Sequence, residues 1–278
     1  MKKILITGNS GYIGSHLTKL LETDYDIHGL DINQPQRNVN LHYAQDIRSL
    51  YGSRFEYDAV IHLAALVNVG ESESNPESYY QTNLIGTLNI LKNIKYKSFI
   101  LASTGAAQNC DSAYGTSKKA AEDVVREYCT KKEIPYTSFR FYNVIGSEGY
   151  QPTNPDGLMT NLIKAMDTGE FTIYGKDYDT IHGDGTCVRD YVHVMEICDA
   201  IRTAIEKPSN SIECLGHGVG YTVKEIVNLF CKVNNVDFDI KYGPRRQGDS
   251  ANSVLEDVSP YMKSLYTIEE LLSVDNKA

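Results

Sequence analysis

The sequence predicts an α/β protein with a Rossmann-like, doubly wound parallel sheet and a smaller mixed α/β substrate lobe. Three observations predict this fold class. A short apolar strand at the N-terminus runs into a glycine-rich turn and then a helix. Strand and helix signals alternate across the first half of the chain, which is typical of parallel sheets. The alternation is lost after Asn143, where Gly, Pro, Asn and Asp crowd residues 146–157.

The glycine-rich turn is the strongest single signal. Residues 3–14 read KILITGNSGYIG, and the strand leads directly into Gly8, Gly11 and Gly14. Glycines let the backbone turn tightly and approach the phosphates of a dinucleotide, while the following helix offers unpaired N–H groups at its positive end. The alternative interpretation is a tight turn with no ligand.

Asp31 indicates which dinucleotide binds. It ends the second predicted strand, residues 26–31. An acidic side chain at the tip of this strand accepts hydrogen bonds from an adenosine ribose and repels a 2′-phosphate. The sequence therefore favours NAD over NADP.

The remaining elements follow in order along the chain. The predicted strands are residues 3–7, 26–31, 41–44, 59–63, 98–102 and 136–141. The predicted helices are residues 12–21, 76–93, 114–132, 158–168, 193–207 and 222–233. Pro76 stands in the first turn of its helix, where a missing N–H is tolerated. Thr222 and Glu225 have the spacing of a capping box.

Composition excludes several classes of function. The chain has 278 residues, 41% of them hydrophobic, which is enough for one large or two smaller domains. Its net charge of −9 argues against nucleic acid or an anionic membrane surface as a partner. The longest apolar stretch, residues 59–69, is too short to span a bilayer, and the first strand leaves no room for a signal peptide. Six scattered cysteines favour a cytoplasmic protein with reduced thiols and no metal site.

Tyr114 and Lys118 form the candidate catalytic pair. They lie four residues apart near the start of a predicted helix and therefore share one face. A nearby ammonium, together with an adjacent NAD⁺, is expected to lower the tyrosine pKa from about 10 toward neutrality and make it a usable base. The spacing alone is weak evidence, because Tyr128 and Lys132 repeat it roughly 21 Å further along the same helix. Tyr114 is favoured because it lies at the start of its helix, just after the strand 99–102 and the hydroxyls of Ser103 and Thr104, either of which can pass on a substrate proton.

Eight motifs spread over nearly the whole chain carry a family resemblance. They are TGNSGYIG, Asp46-Ile47-Arg48, HLAALVNVGES, YYQTNLIGT, YGTSK, RFYNVIG, GTCVRDYVHV and RRQGD. With these motifs the chain resembles the extended short-chain dehydrogenases/reductases, and within them the NAD-dependent epimerase/dehydratase family. The resemblance implies an enzyme that holds NAD and interconverts the 4-epimers of a UDP-sugar substrate, UDP-glucose and UDP-galactose.

The resemblance also implies the site residues. Those that match the catalytic hydroxyl, base and lysine are Thr104, Tyr114 and Lys118. Those that match cofactor contacts are Gly8, Gly11, Tyr12, Ile13, Gly14, Asp31, Asp46, Ile47, Leu63, Ala64, Ala65, Asn83, Tyr114, Lys118 and Tyr142. Those that match substrate contacts are Thr104, Asn143, Leu158, Arg189, Arg246, Asp249 and Ser253. Two arginines suit one diphosphate, because guanidinium forks bind phosphate oxygens in pairs. Without the surrounding motifs, Arg189 and Asp190 would be interpreted as a surface ion pair.

A mechanism and an organisation follow from the resemblance. Tyr114, as phenolate, removes the proton of the sugar 4-hydroxyl while the C4 hydride leaves. The resulting 4-keto sugar, anchored by its UDP, turns over and is reduced on the opposite face, so that NAD is regenerated in each cycle. We expect an NAD-binding domain over 1–144, to which part of 187–212 returns, and a nucleotide-sugar-binding lobe over 145–278. A homodimer joined through helices 76–93 and 113–132 is also expected.

Several positions depart from the family pattern. Related dehydratases carry an Asp-Glu pair after the catalytic threonine, whereas Gly105 and Ala106 stand here, which argues against dehydration. Val67 replaces a lysine that helps to bind the cofactor, so weaker NAD retention is expected. Gly157 replaces an asparagine that contacts the substrate. Ser253 stands where a bulky tyrosine restricts some epimerases to simple hexoses, which makes UDP-GlcNAc and UDP-GalNAc candidate substrates.

Two other functions stay open from the sequence. One is a related epimerase or reductase that acts on a CDP- or dTDP-sugar. A reductase needs NAD(P)H that exchanges freely, whereas an epimerase works without added cofactor. The other is a non-catalytic NAD-binding sensor that kept the fold, against which the intact catalytic residues argue. Residues 181–182 look inserted before Arg189.

Overall fold

The computed structural model describes residues 1–147, 154, 157–180, 183–246 and 248–274. The strands are β1 (Lys2–Thr7), β2 (Tyr25–Asp31), β3 (Leu41–Ala44), β4 (Glu56–Tyr57), β5 (Ala59–His62), β6 (Lys95–Tyr96), β7 (Phe99–Thr104), β8 (Tyr136–Phe141), β9 (Asn143–Ile145), β10 (Glu170–Tyr174), β11 (Val188–His193), β12 (Ser211–Leu215), β13 (Gly220–Thr222), β14 (Asp239–Gly243) and β15 (Asn252–Ser253). The helices are α1 (Tyr12–Leu21), α2 (Val69–Ser74), α3 (Pro76–Tyr79), α4 (Gly86–Asn93), α5 (Ala113–Lys131), α6 (Leu158–Thr168), α7 (Val194–Glu206), α8 (Val223–Asn234) and α9 (Ile268–Leu272). The expected insertion at 181–182 and most of the segment 146–157 lie outside the described residues.

A parallel sheet forms the centre of the molecule. Among the described residues it has seven strands in the order β12-β8-β7-β5-β1-β2-β3, and each neighbouring pair is parallel. The strand order reverses between β1 and β5. A doubly wound sheet opens a crevice for ligands at such a point, outside the carboxyl ends of its strands. The predicted Rossmann-like, doubly wound sheet is confirmed.

Alternate residues of β1 serve the two faces of this sheet. Ile4 and Ile6 belong to the core that α1 and α7 cover, whereas Leu5 belongs to the core on the opposite face with α4 and α5. Because helices cover both faces, the strand reads as a continuous apolar run instead of an alternating one.

The second half of the chain contributes both to this sheet and to a smaller α/β unit. After β11, α7 packs beside α1, and β12 then pairs with β8 at the edge of the large sheet. The smaller unit contains the parallel pair β10–β14, the sheet β13-β11-β15 and the helices α6, α8 and α9. Its core includes Leu162, Phe171, Phe230 and Leu272. The division of the chain at residues 144 and 145 stays a prediction.

Helix boundaries follow the predictions closely, with one irregularity. The predicted capping box is confirmed, since Glu225 N–H donates to Thr222 Oγ1 at 3.0 Å and Thr222 N–H donates to Glu225 Oε2 at 2.7 Å. The predicted helix over 76–93 is present, but a π-helical turn at Tyr80–Ile85 separates α3 from α4. Such turns are rare and frequently occur at functional sites. In the part of the chain that the structure describes, no helix is both long and apolar enough to cross a bilayer.

Candidate active site

A cleft of about 1590 Å³ extends along the carboxyl ends of the central strands and under the smaller unit. The predicted site residues that line it are Gly8, Gly11, Tyr12, Ile13, Gly14, Asp31, Asp46, Ile47, Leu63, Ala64, Ala65, Thr104, Tyr114, Lys118, Tyr142, Asn143, Leu158, Arg189, Arg246 and Asp249. Asn83 and Ser253 are described by the structure but do not line the cleft. The cleft therefore joins the predicted cofactor, catalytic and substrate residues in one space.

The glycine-rich turn has the geometry of a phosphate cradle. Gly8 has a φ of +74° and donates its N–H to Leu30 O at 2.9 Å. A Cβ atom at Gly8 would lie 2.7 Å from Ala64 N, and one at Gly14 would lie 2.1 Å from Gly8 O. α1 follows with Gly11 as its N-cap and no side chain bonded across that end. The turn thus requires glycine, and its backbone is accessible to a dinucleotide pyrophosphate.

Two aspartates that the sequence predicts as cofactor contacts line the cleft. Asp31 accepts hydrogen bonds from Ser10 N–H at 3.1 Å and Asn33 N–H at 2.9 Å, which orient its carboxylate. Asp46 accepts from Arg48 Nη2 at 2.6 Å and Nε at 2.9 Å, and this partner holds the Asp46 pKa below its usual range. Unlike Asp46, Asp31 accepts these two hydrogen bonds from backbone N–H groups and not from an arginine. Its carboxylate suits an unphosphorylated ribose, as expected for NAD.

The side chain of Asn83 is bonded within the chain itself, and its predicted contact with the cofactor stays a prediction. Its Oδ1 accepts from Leu66 N–H at 2.9 Å, while its Nδ2 donates to Leu66 O and to Ser117 Oγ, both at 3.0 Å. The side chain is buried. Asn83 thus ties the loop after β5 to helix α5 beneath the cleft.

The three predicted catalytic residues all line the cleft. Thr104 ends β7, and α5 begins shortly afterwards with Ser112 as its N-cap, accepting from Gly115 N–H at 3.1 Å. This cap places the first turns of α5 at the cleft, so Tyr114 and Lys118 point into it. Tyr114 is 8% exposed and Lys118 is 4% exposed. Both groups are therefore removed from bulk water while they still line the cleft.

Burial shifts the pKa values of both members of the pair. Burial raises the pKa of Tyr114 to about 12, and the hydrogen bond with Thr104 opposes this increase. Burial also lowers the pKa of Lys118 to about 8, and the charge of Glu122 opposes this decrease. Without a cofactor, the desolvation of the Tyr114 phenolate is the larger effect. The predicted fall of this pKa, which includes the charge of NAD⁺, stays a prediction.

Two arginines occupy the far end of the cleft. The Arg189 side chain is 14% exposed, and its Nη2 lies 3.9 Å from Asp249 Oδ1. The Arg246 guanidinium lies 4.0 Å from the ring centroid of Tyr174. This end of the cleft is therefore a cationic pocket with an aromatic wall, which suits a diphosphate and an attached base.

Asp190 is not the surface partner of Arg189. It is fully buried and accepts hydrogen bonds from His217 N–H at 2.9 Å and Gly218 N–H at 2.8 Å. The interpretation of Arg189 and Asp190 as a surface ion pair is wrong, because Asp190 binds the backbone that follows β12. Arg189 is left facing the cleft.

The positions that depart from the family pattern lie in different surroundings. Val67 lines the cleft and is 50% exposed, and Gly157 also lines it as the N-cap of α6. Ser253 is half-buried on β15, in register with Arg189 on β11. The sequence analysis missed Tyr174, which lines the cleft. The sequence of β10, in which Phe171 and Ile173 alternate with other residues, is the signal that could have indicated a strand ending in Tyr174.

A doubly wound sheet with a glycine-rich turn and a buried tyrosine–lysine pair defines the class of short-chain dehydrogenases/reductases. Residues 4–214 match the model of the NAD dependent epimerase/dehydratase family. The chain belongs to this family, and the expected resemblance is confirmed.

Curated and solved relatives agree with this membership. The chain is 30% identical to a UDP-glucose 4-epimerase of Cyamopsis tetragonoloba, in an alignment that covers 96% of this chain and 92% of that protein. The fold is also similar to that of UDP-glucose 4-epimerase from Bifidobacterium longum in complex with NAD⁺ and UDP. The TM-score is 0.83 and the identity is 26%, over 97% of this chain and 96% of that chain. For the UDP-Glc/GlcNAc 4-epimerase from Campylobacter jejuni, the TM-score is 0.77 and the identity is 27%, over 98% of this chain and 97% of that chain.

Proposed function

We propose that this chain is an NAD-dependent nucleotide-sugar 4-epimerase that interconverts UDP-glucose and UDP-galactose. One observation carries the proposal. The buried pair Tyr114 and Lys118 lies in a single cleft between a glycine-rich dinucleotide cradle and a two-arginine pocket. The similarity to proteins named UDP-glucose 4-epimerase, at 30% and 26% identity, supports the same reaction.

The cradle fits NAD. The backbone of the turn at Gly8 and Gly14 has no room for a Cβ atom and is open to a pyrophosphate, while Asp31 suits an unphosphorylated adenosine ribose. Bound NAD would supply reversible hydride transfer at the sugar C4 with no net oxidation, and a positive charge that favours the Tyr114 phenolate. The burial of Tyr114 alone disfavours this phenolate.

Tyr114 performs the proton transfer. Its phenolate accepts the proton of the sugar 4-hydroxyl and becomes the phenol, either directly or through the Thr104 hydroxyl to which Tyr114 is hydrogen bonded. The Lys118 ammonium, one helical turn away, favours the phenolate by its charge. Both side chains are buried, so this charge is poorly screened by solvent.

The two arginines explain how one site serves both epimers. Arg189 and Arg246 bind the diphosphate, and Tyr174 offers its ring to the base. The substrate is then held by its nucleotide end, which leaves the oxidised sugar free to present its other face. The buried Tyr114 between the glycine-rich cradle and the two-arginine pocket argues against a non-catalytic sensor, because binding alone does not require a base there.

A small side chain at Ser253 favours N-acetylated sugars as a second substrate pair. Ser253 is the register partner of Arg189 and lies beside the cationic pocket without lining it. A serine there leaves space that a tyrosine would fill. The similarity to a UDP-Glc/GlcNAc 4-epimerase supports UDP-GlcNAc and UDP-GalNAc as additional substrates.

The assembly is proposed to be a cytoplasmic homodimer joined through helices 76–93 and 113–132. Ile85 is 38% exposed on the first of these segments and would be covered in such a dimer. All six cysteines are free thiols, which suits a reducing compartment. Sedimentation equilibrium should give twice the chain mass, and a monomer would contradict the dimer.

Product analysis tests the proposed reaction. The purified protein is incubated with UDP-glucose and, separately, with UDP-GlcNAc, first without NAD⁺ and then with it, and the products are identified by proton NMR. We expect the galacto epimers to form in both incubations. Activity only after NAD⁺ is added would show weak retention, as expected from Val67. The absence of any epimer under all conditions would contradict the proposal.

A further inference from the structure

A buried glutamate lies directly behind the catalytic pair. Glu122 has no exposed surface, and it accepts hydrogen bonds from Ser103 Oγ at 2.6 Å, Arg140 Nε at 2.9 Å and Arg140 Nη2 at 2.8 Å. The two bonds from Arg140 reach different carboxylate oxygens, so the pair is bidentate. A carboxylate so completely bound in the interior has one fixed position.

The position of Glu122 relates it to all three catalytic residues. It lies four residues after Lys118, which lies four residues after Tyr114, so the three side chains form one row on α5. Its partner Ser103 directly precedes Thr104 on β7. Its other partner, Arg140, is the register neighbour of Ser103 on β8. One carboxylate therefore connects the strand that carries the catalytic hydroxyl with the helix that carries the base and the lysine.

We infer that Glu122 is a positioning residue for the proposed epimerase reaction, because its carboxylate locks β7 to α5 and places a negative charge one helical turn behind Lys118. This inference deepens the proposed function and rests on it. Glu122 does not line the cleft and does not touch the reacting atoms. It acts through Lys118, whose positive charge the base requires.

The surroundings of Lys118 show that Glu122 supplies the favourable charge. Within the described part of the chain, the ionisable groups that interact with the charge of Lys118 are Glu122 on its own helix and His62 on β5, while Tyr114 lies one helical turn before it. Burial lowers the pKa of His62 to about 3, so this ring stays neutral in the working range. Arg140 lies beyond the carboxylate, while Tyr79 on α3 faces Tyr114 and has a pKa raised to about 12 by burial. Glu122 is thus the anion that opposes the desolvation of the ammonium.

Three variants separate charge from packing. Glu122→Gln keeps the shape and removes the charge, but it leaves the Arg140 guanidinium without its anion. The double variant Glu122→Gln with Arg140→Gln removes both charges and avoids a buried unpaired cation, so it keeps the test valid if the single variant does not fold. Glu127→Gln, at an exposed glutamate of the same helix that pairs with Lys131, is the matched control.

Two readouts are measured for each variant and for the wild type. One is the pH profile of kcat for UDP-glucose epimerisation. The other is the titration of Lys118 by NMR of protein labelled with ¹³C at the lysine ε-carbon, with Lys118→Met to assign the signal. In Glu122→Gln we expect both the alkaline limb and the Lys118 titration to move about one pH unit or more toward lower pH. The double variant should show a smaller movement in the same direction, and Glu127→Gln should match the wild type.

The outcomes distinguish this inference from the proposed function. If either Glu122 variant folds and keeps the wild-type limb and the wild-type Lys118 titration, Glu122 is only a structural residue and the inference is wrong. If the Lys118 titration moves as expected but the wild type does not epimerise UDP-sugars, the electrostatic link stands and the proposed function fails.

Discussion

Helix α5 carries two tyrosine–lysine pairs with the same spacing and very different surroundings. Tyr114 and Lys118 are buried at the end of the helix that faces the cleft. Tyr128 is half-buried and Lys132 is exposed just beyond the other end, where the ammonium lies 4.9 Å from the tyrosine ring centroid. The comparison shows that the spacing only places two groups on one face. Burial and a neighbouring hydroxyl make one of the pairs a candidate base.

Helix length accounts for the difference. Ser112 caps α5 beside the carboxyl ends of the strands, whereas the last turns of the helix lie far from this edge. The first pair therefore meets the cleft, and the second can only form a surface contact. Cation–π contacts at exposed sites contribute roughly 0.5–1 kcal/mol.

The largest expected effect is the loss of the base. Tyr114→Phe removes the only hydroxyl of the first pair, and kcat for epimerisation should fall by about 10²- to 10⁴-fold, the usual contribution of a positioned acid or base. Tyr128→Phe is the matched control and should keep kcat within twofold of the wild type, roughly the change expected of a surface substitution. Equal losses in both variants would abolish the distinction between the pairs.

The loss of the lysine should have a smaller effect that depends on pH. Lys118 has a pKa lowered to about 8 by burial. Below this pH its ammonium favours the Tyr114 phenolate, and above it the charge and the activity are lost. We expect an alkaline limb near pH 8 in the wild type. Lys118→Met should reduce kcat by about 10- to 10³-fold and remove the limb. Lys132→Met should retain both, and a limb that survives in Lys118→Met would assign it to another group.

The Thr104 hydroxyl also distinguishes the two pairs. It is hydrogen bonded to Tyr114 and is proposed to pass on the substrate proton, a role that no residue is assigned beside Tyr128. Thr104→Val removes a hydrogen bond to the phenolate and should lower kcat by about 10- to 100-fold, since hydrogen bonds to charged groups contribute roughly 1.5–3 kcal/mol. Thr104→Ser keeps the hydroxyl and should retain most of the activity. If serine and valine have the same effect, the methyl packing of Thr104 matters and its hydroxyl does not.

The smallest expected effect concerns stability. Combining Tyr128→Phe with Lys132→Met should change the free energy of unfolding by no more than about 1 kcal/mol, because the contact is peripheral. Urea denaturation followed by circular dichroism measures this change. A much larger loss would mean that the second pair stabilises the end of α5 in a way that its exposure does not suggest.

Local signals explain which parts of the site could be predicted. Gly8 and Gly14 could be predicted from their spacing, because the turn needs glycine at both positions. Gly8 has a positive φ, and a Cβ atom at either position would collide with neighbouring backbone atoms. Tyr174 was not predicted, because its strand β10 is short and follows the point where the alternation of strands and helices along the chain ends. Asn83 was assigned to the cofactor from its motif. Its bonds to Leu66 and Ser117 depend on three segments meeting in space, which sequence spacing does not encode.

The electrostatics of the base were the least predictable feature. Helical spacing correctly places Lys118 one turn from Tyr114, and from spacing alone the ammonium should lower the tyrosine pKa. In the chain without cofactor, burial raises that pKa to about 12, because it removes water from the phenolate. The degree of burial depends on how the whole cleft is built. It is therefore a property of the fold and not of the motif.

An isotope experiment tests the proposed reaction most directly. UDP-glucose carrying deuterium at C4 is converted in ordinary water, and the UDP-galactose formed is analysed by proton NMR and mass spectrometry. We expect the product to keep the deuterium at C4, because the hydride removed from one face of the sugar is returned to the other within the closed cycle. A product with hydrogen at C4 would show exchange with solvent and would contradict hydride transfer as the basis of the reaction.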